Sequence, residues 1–316
     1  MSGGRVIALS GGIGGAKLAL GLHRVSAPGA LTIIANTGDD FRHLGLHVSP
    51  DIDTLLYTLA GLDDPVKGWG RRDETWTFMR ALAELGGETW FQLGDGDLAI
   101  HVERTRRLGA GESLSQVTDG LRRRLGISSL IVPMSDEPVA TRVATDEGWL
   151  DFQHYFVRRR CEPRVSGLEF VGADDARMAP EAVAAFADPT LRAVILCPSN
   201  PYLSVDPVLA VPGMRKALAE CAAPVIAISP IIAGQAVKGP TAKMMAELGL
   251  EPSAATVARH YEGLIDAFVI DEADAGLAIA GLDIVATPTL MRGLDDKERL
   301  ARFVLAVAEA LAEPRG

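Results

Sequence analysis

An apolar run, Arg5-Val6-Ile7-Ala8-Leu9, passes without a break into Ser10-Gly11-Gly12-Ile13-Gly14-Gly15-Ala16-Lys17 and then into a helical pattern. That junction limits what the chain can fold into more than any other stretch. Glycines lack a Cβ, so the turn can take positive φ and let backbone N–H groups approach an anion. The helix that follows adds free amides and the positive end of its dipole. The loop therefore predicts a phosphate site at Gly11, Gly12, Gly14, Gly15 and Lys17, yet it matches neither standard fingerprint. A Walker A loop has Lys directly after Gly and then Ser or Thr, whereas Ala16 separates Gly15 from Lys17 and Leu18 follows. A dinucleotide loop spaced from Gly12 and Gly14 would carry Gly or Ala where Lys17 stands. The competing account is a strand-to-helix turn that needs glycine for packing alone.

Short apolar runs recur at residues 5 to 9, 31 to 35, 129 to 132, 193 to 197, 225 to 228, 267 to 270 and 284 to 286. They do not alternate with polar residues, which suits strands buried on both faces of a mostly parallel sheet. Stretches such as 214 to 221, 243 to 248, 254 to 264 and 295 to 311 carry apolar residues at three- and four-residue spacing and read as covering helices. The region from about 98 to 185 breaks this rhythm. A run over 139 to 144, a turn at Asp146-Glu147-Gly148 and an aromatic run over 149 to 157 predict an antiparallel hairpin. A length of 316 residues fits two domains or one large α/β domain with an insertion. With no repeat and no low-complexity linker, the expectation is a single doubly wound α/β domain over 1–316 with an inserted helical and hairpin subdomain over about 98–185.

Composition closes off several functions. A net charge of -10 argues against a nucleic-acid surface, and no apolar stretch has the length of a membrane span. The amino-terminal run has strand length, not that of a secretory core. Cys161, Cys197 and Cys221 lie far apart without metal-site spacing and read as reduced thiols of a cytoplasmic protein. His23, His43, His47, His101, His154 and His260 show no zinc spacing.

In open parallel sheets ligands sit beyond the carboxyl ends of the strands. Those positions here are polar and small: Asn36-Thr37-Gly38-Asp39-Asp40, Pro133-Met134-Ser135-Asp136, Pro198-Ser199-Asn200-Pro201, and the loop from Ser229 through Gly234 and Lys238 to Pro240. In Ser49-Pro50-Asp51-Ile52-Asp53-Thr54, Ser49 fits an N-cap, Pro50 the first helical position and Asp51 the first turn, which leaves Asp53 unexplained. Leu93-Gly94-Asp95-Gly96-Asp97 repeats the spacing of two carboxylates one residue apart, and Asp39-Asp40 is a third acidic pair. Carboxylate pairs beside a phosphate loop point to Mg²⁺, which is usually held by one or two carboxylates plus substrate phosphates. Trp76, Phe78, Trp90 and Phe91 are the aromatic concentration near these motifs; they either stack on a flat ring or pack the core.

Taken in order along the chain, these motifs resemble the 2-phospho-L-lactate transferase family, which builds the deazaflavin coenzyme F-420. The matching pieces are Gly11 to Lys17, Asn36-Thr37 with Asp39-Asp40, Ser49 to Thr54, Leu93-Gly94-Asp95, Pro133 to Asp136, Ser199-Asn200-Pro201 and Ser229 to Ile232. The resemblance implies a Rossmann-like fold and a Mg²⁺-dependent transfer. A guanylylated three-carbon phospho-acid of lactate, enolpyruvate or glycerate type passes its phospho-acid group to the ribityl hydroxyl of the deazaflavin Fo, and GMP leaves. It implies that the donor's diphosphate and nucleotide lie on Gly11, Gly12, Gly14, Gly15, Lys17, Asn36, Thr37, Ser199, Asn200, Ser229 and Gly234. It also implies that Asp51 and Asp53 face the alcohol and the metal, with Asp53 first as base or ligand and Asp95 and Asp97 as their partners.

Two other readings stay open on sequence. One is a non-enzymatic, nucleotide-sugar-binding regulatory protein of the same superfamily. The other is an NAD(P)-dependent oxidoreductase, weakened because Asn36 stands where an acidic residue would bind the ribose. The Ala/Leu-rich helices near both ends either cover the sheet or pair in a homodimer.

Overall fold

The computed structural model describes residues 4–65, 67–237 and 239–312, so Lys238 lies outside the described residues. A seven-stranded sheet forms its centre. The strands are β1 (Arg5–Ser10), β2 (Leu31–Ala35), β3 (Leu130–Pro133), β4 (Leu191–Leu196), β5 (Val225–Ile228), β6 (Ala267–Ile270) and β7 (Asp283–Ala286). All neighbouring pairs are parallel, in the order β7-β6-β5-β4-β1-β2-β3. These are the apolar runs of the sequence.

Alternate residues of the inner strands enter two separate cores. Ile7 and Leu9 join one cluster with Val194, Leu196 and Phe268; Val6 and Ala8 join the other with Ile33, Ile195 and Val269. Both faces are buried, which is why the strands lack polar alternation. Fully burying a Leu or Ile side chain contributes about 1.5 to 3 kcal/mol, so the two cores hold the sheet rigidly.

From β1 the chain moves outward through β2 to β3, returns to the other side of β1 with β4, and continues outward to β7. The direction reverses between β1 and β4, the place where ligands bind in open sheets of this kind. Helix α1 (Gly12–Val25) packs between α2 (Pro50–Ala60) and the C-terminal helix Leu294–Ala312. Gly21 permits the closest approach, since a Cβ there would run into the Lys297 carbonyl.

Of the stretch from about 98 to 185, Leu130–Pro133 belongs to the central sheet, and the antiparallel part is a three-stranded sheet of Gly148–Asp151, Ala140–Thr145 and Val165–Val171. That small sheet buttresses the loop after β2. The Thr141 amide donates to the Gly38 carbonyl at 2.8 Å and Gln153 Nε2 to the Asp39 carbonyl at 3.2 Å.

Candidate active site at the glycine turn and the acidic loop

At the point of reversal the loops after β1 and β4 are joined. Ser199 Oγ accepts from the Gly11 amide at 3.2 Å and donates to the Gly11 carbonyl at 2.8 Å. The glycines are needed here for close approach. A Cβ on Gly11 would lie 2.5 Å from Ser204 Cβ and 2.9 Å from Asp51 Oδ2; one on Gly15 would lie 2.6 Å from both Ser10 Oγ and Ser199 Oγ; one on Gly14 would strike the Pro198 carbonyl. Gly12 is different. Its φ of +64° turns the chain from strand into helix, a conformation that L side chains rarely adopt.

The Gly12 amide is one of the helix's unpaired N-terminal donors, and it donates to Asp51 Oδ1 at 2.7 Å. Asn36, at the end of β2, donates through Nδ2 to Asp51 Oδ2 at 2.9 Å and to Asp39 Oδ1 at 3.1 Å, while its Oδ1 accepts the Gly38 amide at 2.8 Å. The glycine turn, the Asn36 to Asp40 loop and the first turn of α2 thus meet at one carboxylate. Asp40 follows, taking a hydrogen bond from Ser49 Oγ at 2.7 Å and lying 3.2 Å from His47 Nε2, with its Oδ1 buried and unpartnered. Ser49 occupies the N-cap position of α2 as expected, but its hydroxyl serves Asp40 and makes no cap bond.

Burial, and next the neighbouring Asp51, push the Asp39 carboxyl well above its usual range. Burial raises Asp51 to about 6 against the hydrogen bonds from Asn36 and Gly12, and it raises Asp40 against those from His47 and Ser49. Desolvation leads in all three, and like charge adds to it for Asp39 and Asp51.

Asp53 has a different setting. Arg104, 0% exposed, grips both of its carboxylate oxygens: Nη1 reaches Oδ2 at 3.1 Å and Nη2 pairs with Oδ1. Arg104 lies on α4 (Asp95–Gly109), which follows the short α3 (Thr77–Glu84). His101, one turn earlier, stands between Asp53 (3.6 Å) and Asp97 (3.2 Å), and Tyr57 donates its hydroxyl to Asp97. The sequence made Asp53 the first candidate for base or metal ligand; the structure sets it in an ion pair and leaves Asp51 with the unneutralised charge.

Several other expected residues serve the fold. Asp95 caps α3, accepting the Thr77 and Phe78 amides at 3.2 and 3.0 Å. Asn200 Oδ1 accepts the Tyr202 and Leu203 amides at 3.0 and 3.2 Å. Ser229 Oγ bonds both the amide and the carbonyl of Ile231. Gly234, with φ of +73°, completes with Ala233 the turn between Ile231–Ile232 and Gln235–Ala236. Thr37 is buried behind the acidic loop with its hydroxyl unpartnered. Lys17 Nζ donates to the Met291 carbonyl at 3.0 Å, and the residue borders a cavity of about 130 Å³ lined also by Tyr57, Thr58, Asp63, Asp64, Arg292 and Lys297.

Trp90 and Phe91 do gather beside the acidic loop, packing with Phe41 and His43, and Trp90 stacks on His154 at 4.8 Å. Trp76 instead lies under the Lys67 ammonium. Arg104 and His101 were not singled out from sequence. The available signal was the spacing of Asp97, His101 and Arg104, four and three residues apart on one face of a helix.

Among the described residues, no three His, Cys, Asp or Glu side chains converge as a metal site by themselves. The acidic loop gathers carboxylate oxygens, of which Asp40 Oδ1 is buried and without a partner.

The fold and this site define a doubly wound α/β protein with carboxylates gathered at its glycine turn. The family model described as 2-phospho-L-lactate transferase CofD matches residues 6–280. A phosphoenolpyruvate transferase of Streptomyces griseus subsp. griseus is 41% identical, with 96% of this chain and 98% of that protein covered. The phosphoenolpyruvate transferase of Streptomyces avermitilis is 42% identical over 98% of this chain and 100% of its own. A crystal structure of a UPF0052-family protein from Bacillus halodurans superposes with a TM-score of 0.61 at 14% identity, covering 96% of this chain and 99% of that one, and so shares the fold. The chain belongs to the 2-phospho-L-lactate transferase (CofD) family and is a transferase. No helix of the described residues is long and apolar enough to cross a membrane.

Proposed function

We propose that the chain transfers a phosphoenolpyruvate-type group from a guanylyl diphosphate donor to the ribityl hydroxyl of the deazaflavin Fo, releasing GMP, in the cytoplasm. The names of the relatives support enolpyruvate as the acid. The observation that carries the reading is the bond from the Gly12 amide to Asp51, which puts an anion-binding turn and an uncompensated carboxylate cluster against each other. Transfer needs both: donors for a diphosphate, and an acceptor for the proton of the alcohol.

In this reaction the hydroxyl oxygen forms a bond to the phosphorus that carries the acid. The bond from that phosphorus to the bridging oxygen breaks, and the oxygen leaves with GMP. The alcohol proton passes to a carboxylate, for which Asp51 is the candidate. Mg²⁺ fits the donor set of Asp51 and Asp39 with substrate oxygens completing the shell; bound there it would neutralise the charge of the two phosphates. The free amides of α1 would hold phosphate oxygens, and Asn36 would orient the carboxylates. Asp53, already paired with Arg104, orients and does not ligate.

The test is incubation of the full chain with Fo, Mg²⁺ and, in separate reactions, guanylylated enolpyruvate, lactate and glycerate phospho-acids. GMP and product mass are read out. Turnover with the enolpyruvate donor that EDTA abolishes is the expected result; no GMP release with any donor rejects the transfer.

A further inference from the structure

We infer that Arg104 is a positioning residue of the transfer site: through Asp53 it holds the first turn of α2 so that Asp51 is presented to the Gly12 amide. The kinetic arm of this inference rests on the proposed transfer; its structural arm does not.

Arg104 is fully buried, which is costly for a guanidinium unless its donors are used. Two of them grip Asp53, and Nη1 also reaches the His47 carbonyl at 3.4 Å. The grip extends along α2, because Asp53 and Tyr57 are four residues apart on one face. Asp53 meets Arg104 and His101, while Tyr57 meets Asp97, all from α4. Asp51 lies two residues before Asp53, which in an α-helix is a rotation of about 200°. Pinning Asp53 to α4 therefore turns Asp51 to the opposite side, where α1 begins. The N-cap residue Ser49 makes no side-chain cap bond to α2, its hydroxyl being held by Asp40, so the Arg104 grip on Asp53 adds to the packing of Ile52, Leu55 and Leu56 in fixing this turn.

The experiment uses the full chain as wild type, R104Q, R104K, D53N and the R104Q/D53N double variant. Amide hydrogen exchange by NMR reports on Gly12, and steady-state kinetics report on transfer. In R104Q, Gly12 exchange is expected to quicken about tenfold or more while the Ile7 and Ile34 amides of the central sheet keep their protection. The same variant is expected to lose roughly 100-fold in kcat with both KM values little changed, because misaligned groups slow the step without weakening binding. R104K, which keeps the charge but not the fork, is expected to recover part of the loss. D53N and the double variant should lose no more than R104Q, as residues acting through one contact do.

Unchanged Gly12 protection in folded R104Q, or losses in R104Q and D53N that multiply, overturns the inference. Should R104Q fail to fold because Asp53 is left buried and unpaired, the double variant removes that charge and carries the same Gly12 test. If the wild type releases no GMP, the proposed transfer falls and Gly12 exchange still decides the role of Arg104.

Discussion

Asp51 accepts the first amide of α1, that of Gly12, at 2.7 Å, and the Asn36 side chain at 2.9 Å. A carboxylate of this chain therefore occupies part of the positive helix terminus that the glycine turn exposes. The turn is neither an open cradle nor mere packing. Gly11, Gly14 and Gly15 let Ser204, Pro198 and Ser199 close in, while Gly12 turns its amide toward the acidic loop. Anion donors and anions face each other, an arrangement that a cation-bound diphosphate would complete.

Replacing Asp51 by Asn keeps the shape and removes the charge. If Asp51 takes the alcohol proton or helps hold Mg²⁺, D51N should lower kcat by roughly 10² to 10³-fold, the range seen when one preorganised electrostatic group is lost. It should also weaken the dependence of rate on Mg²⁺. Initial rates of GMP release against Mg²⁺ concentration check both, and wild-type behaviour in D51N would remove Asp51 from the chemistry.

Much of this architecture was legible because each apolar run is short, β-rich and non-alternating, the signature of a strand buried on both faces. Gly12 and Asn36 were legible as neighbours because both follow strands whose carboxyl ends share one rim, and Asp51 because its motif opens a helix just downstream of the acidic pair. The turn contacts that Asn200, Ser229, Gly234 and Asp95 make were not, since a polar residue that caps a turn has the same identity and neighbours as one that holds a ligand. Arg104 was hidden for another reason. Residue 104 falls in the stretch from about 98 to 185 that breaks the strand-helix rhythm, with no element assigned to it from sequence, and only the fold shows α4 turning that face onto Asp53.

The packing role of the turn glycines is separable from the site. A Cβ on Gly14 would strike the Pro198 carbonyl, a backbone atom that cannot rotate away, so G14A should cost about 1 to 3 kcal/mol as an overpacked substitution. Gly109, near the end of α4, has open space around its Cβ position, and G109A should be neutral or slightly stabilising. Urea unfolding of the two variants compares them directly; equal midpoints would mean that the β4 loop yields to G14A.

Asp95 and Asp97, alike in sequence, should separate by experiment. Asp95 accepts amides at the start of α3, so D95A should lower the melting temperature and leave kcat of the folded protein near the wild-type value. Asp97 bonds Tyr57 and faces His101 in the network around Asp53, so D97N should lower kcat as well. Melting curves with kcat on the same preparations test the split, which an unaltered kcat in D97N would contradict.

The acidic loop should also set how stability responds to pH. Burial raises the Asp51 carboxyl from 3.8 to about 6, and Asp39 shifts in the same direction. Between those values the folded state keeps a proton that the unfolded chain has released. Stability from this group is therefore present at low pH and is lost as pH rises through about 6. From pH 5 to pH 7.5 the Asp51 contribution should fall by about 1 to 2 kcal/mol. Glu137, shifted the other way to about 2, has finished titrating below this window, whereas His23 and His43, which burial lowers, oppose the trend and are common to wild type and D51N. The difference between D51N and wild type isolates the effect. Urea unfolding in EDTA should show D51N gaining on wild type by that amount from pH 5 to pH 7.5, and added Mg²⁺ should narrow the gap at pH 7.5 by stabilising only the wild type. A gap that does not change with pH would mean that Asp51 titrates as it does in the unfolded chain, with its charge already compensated in the fold.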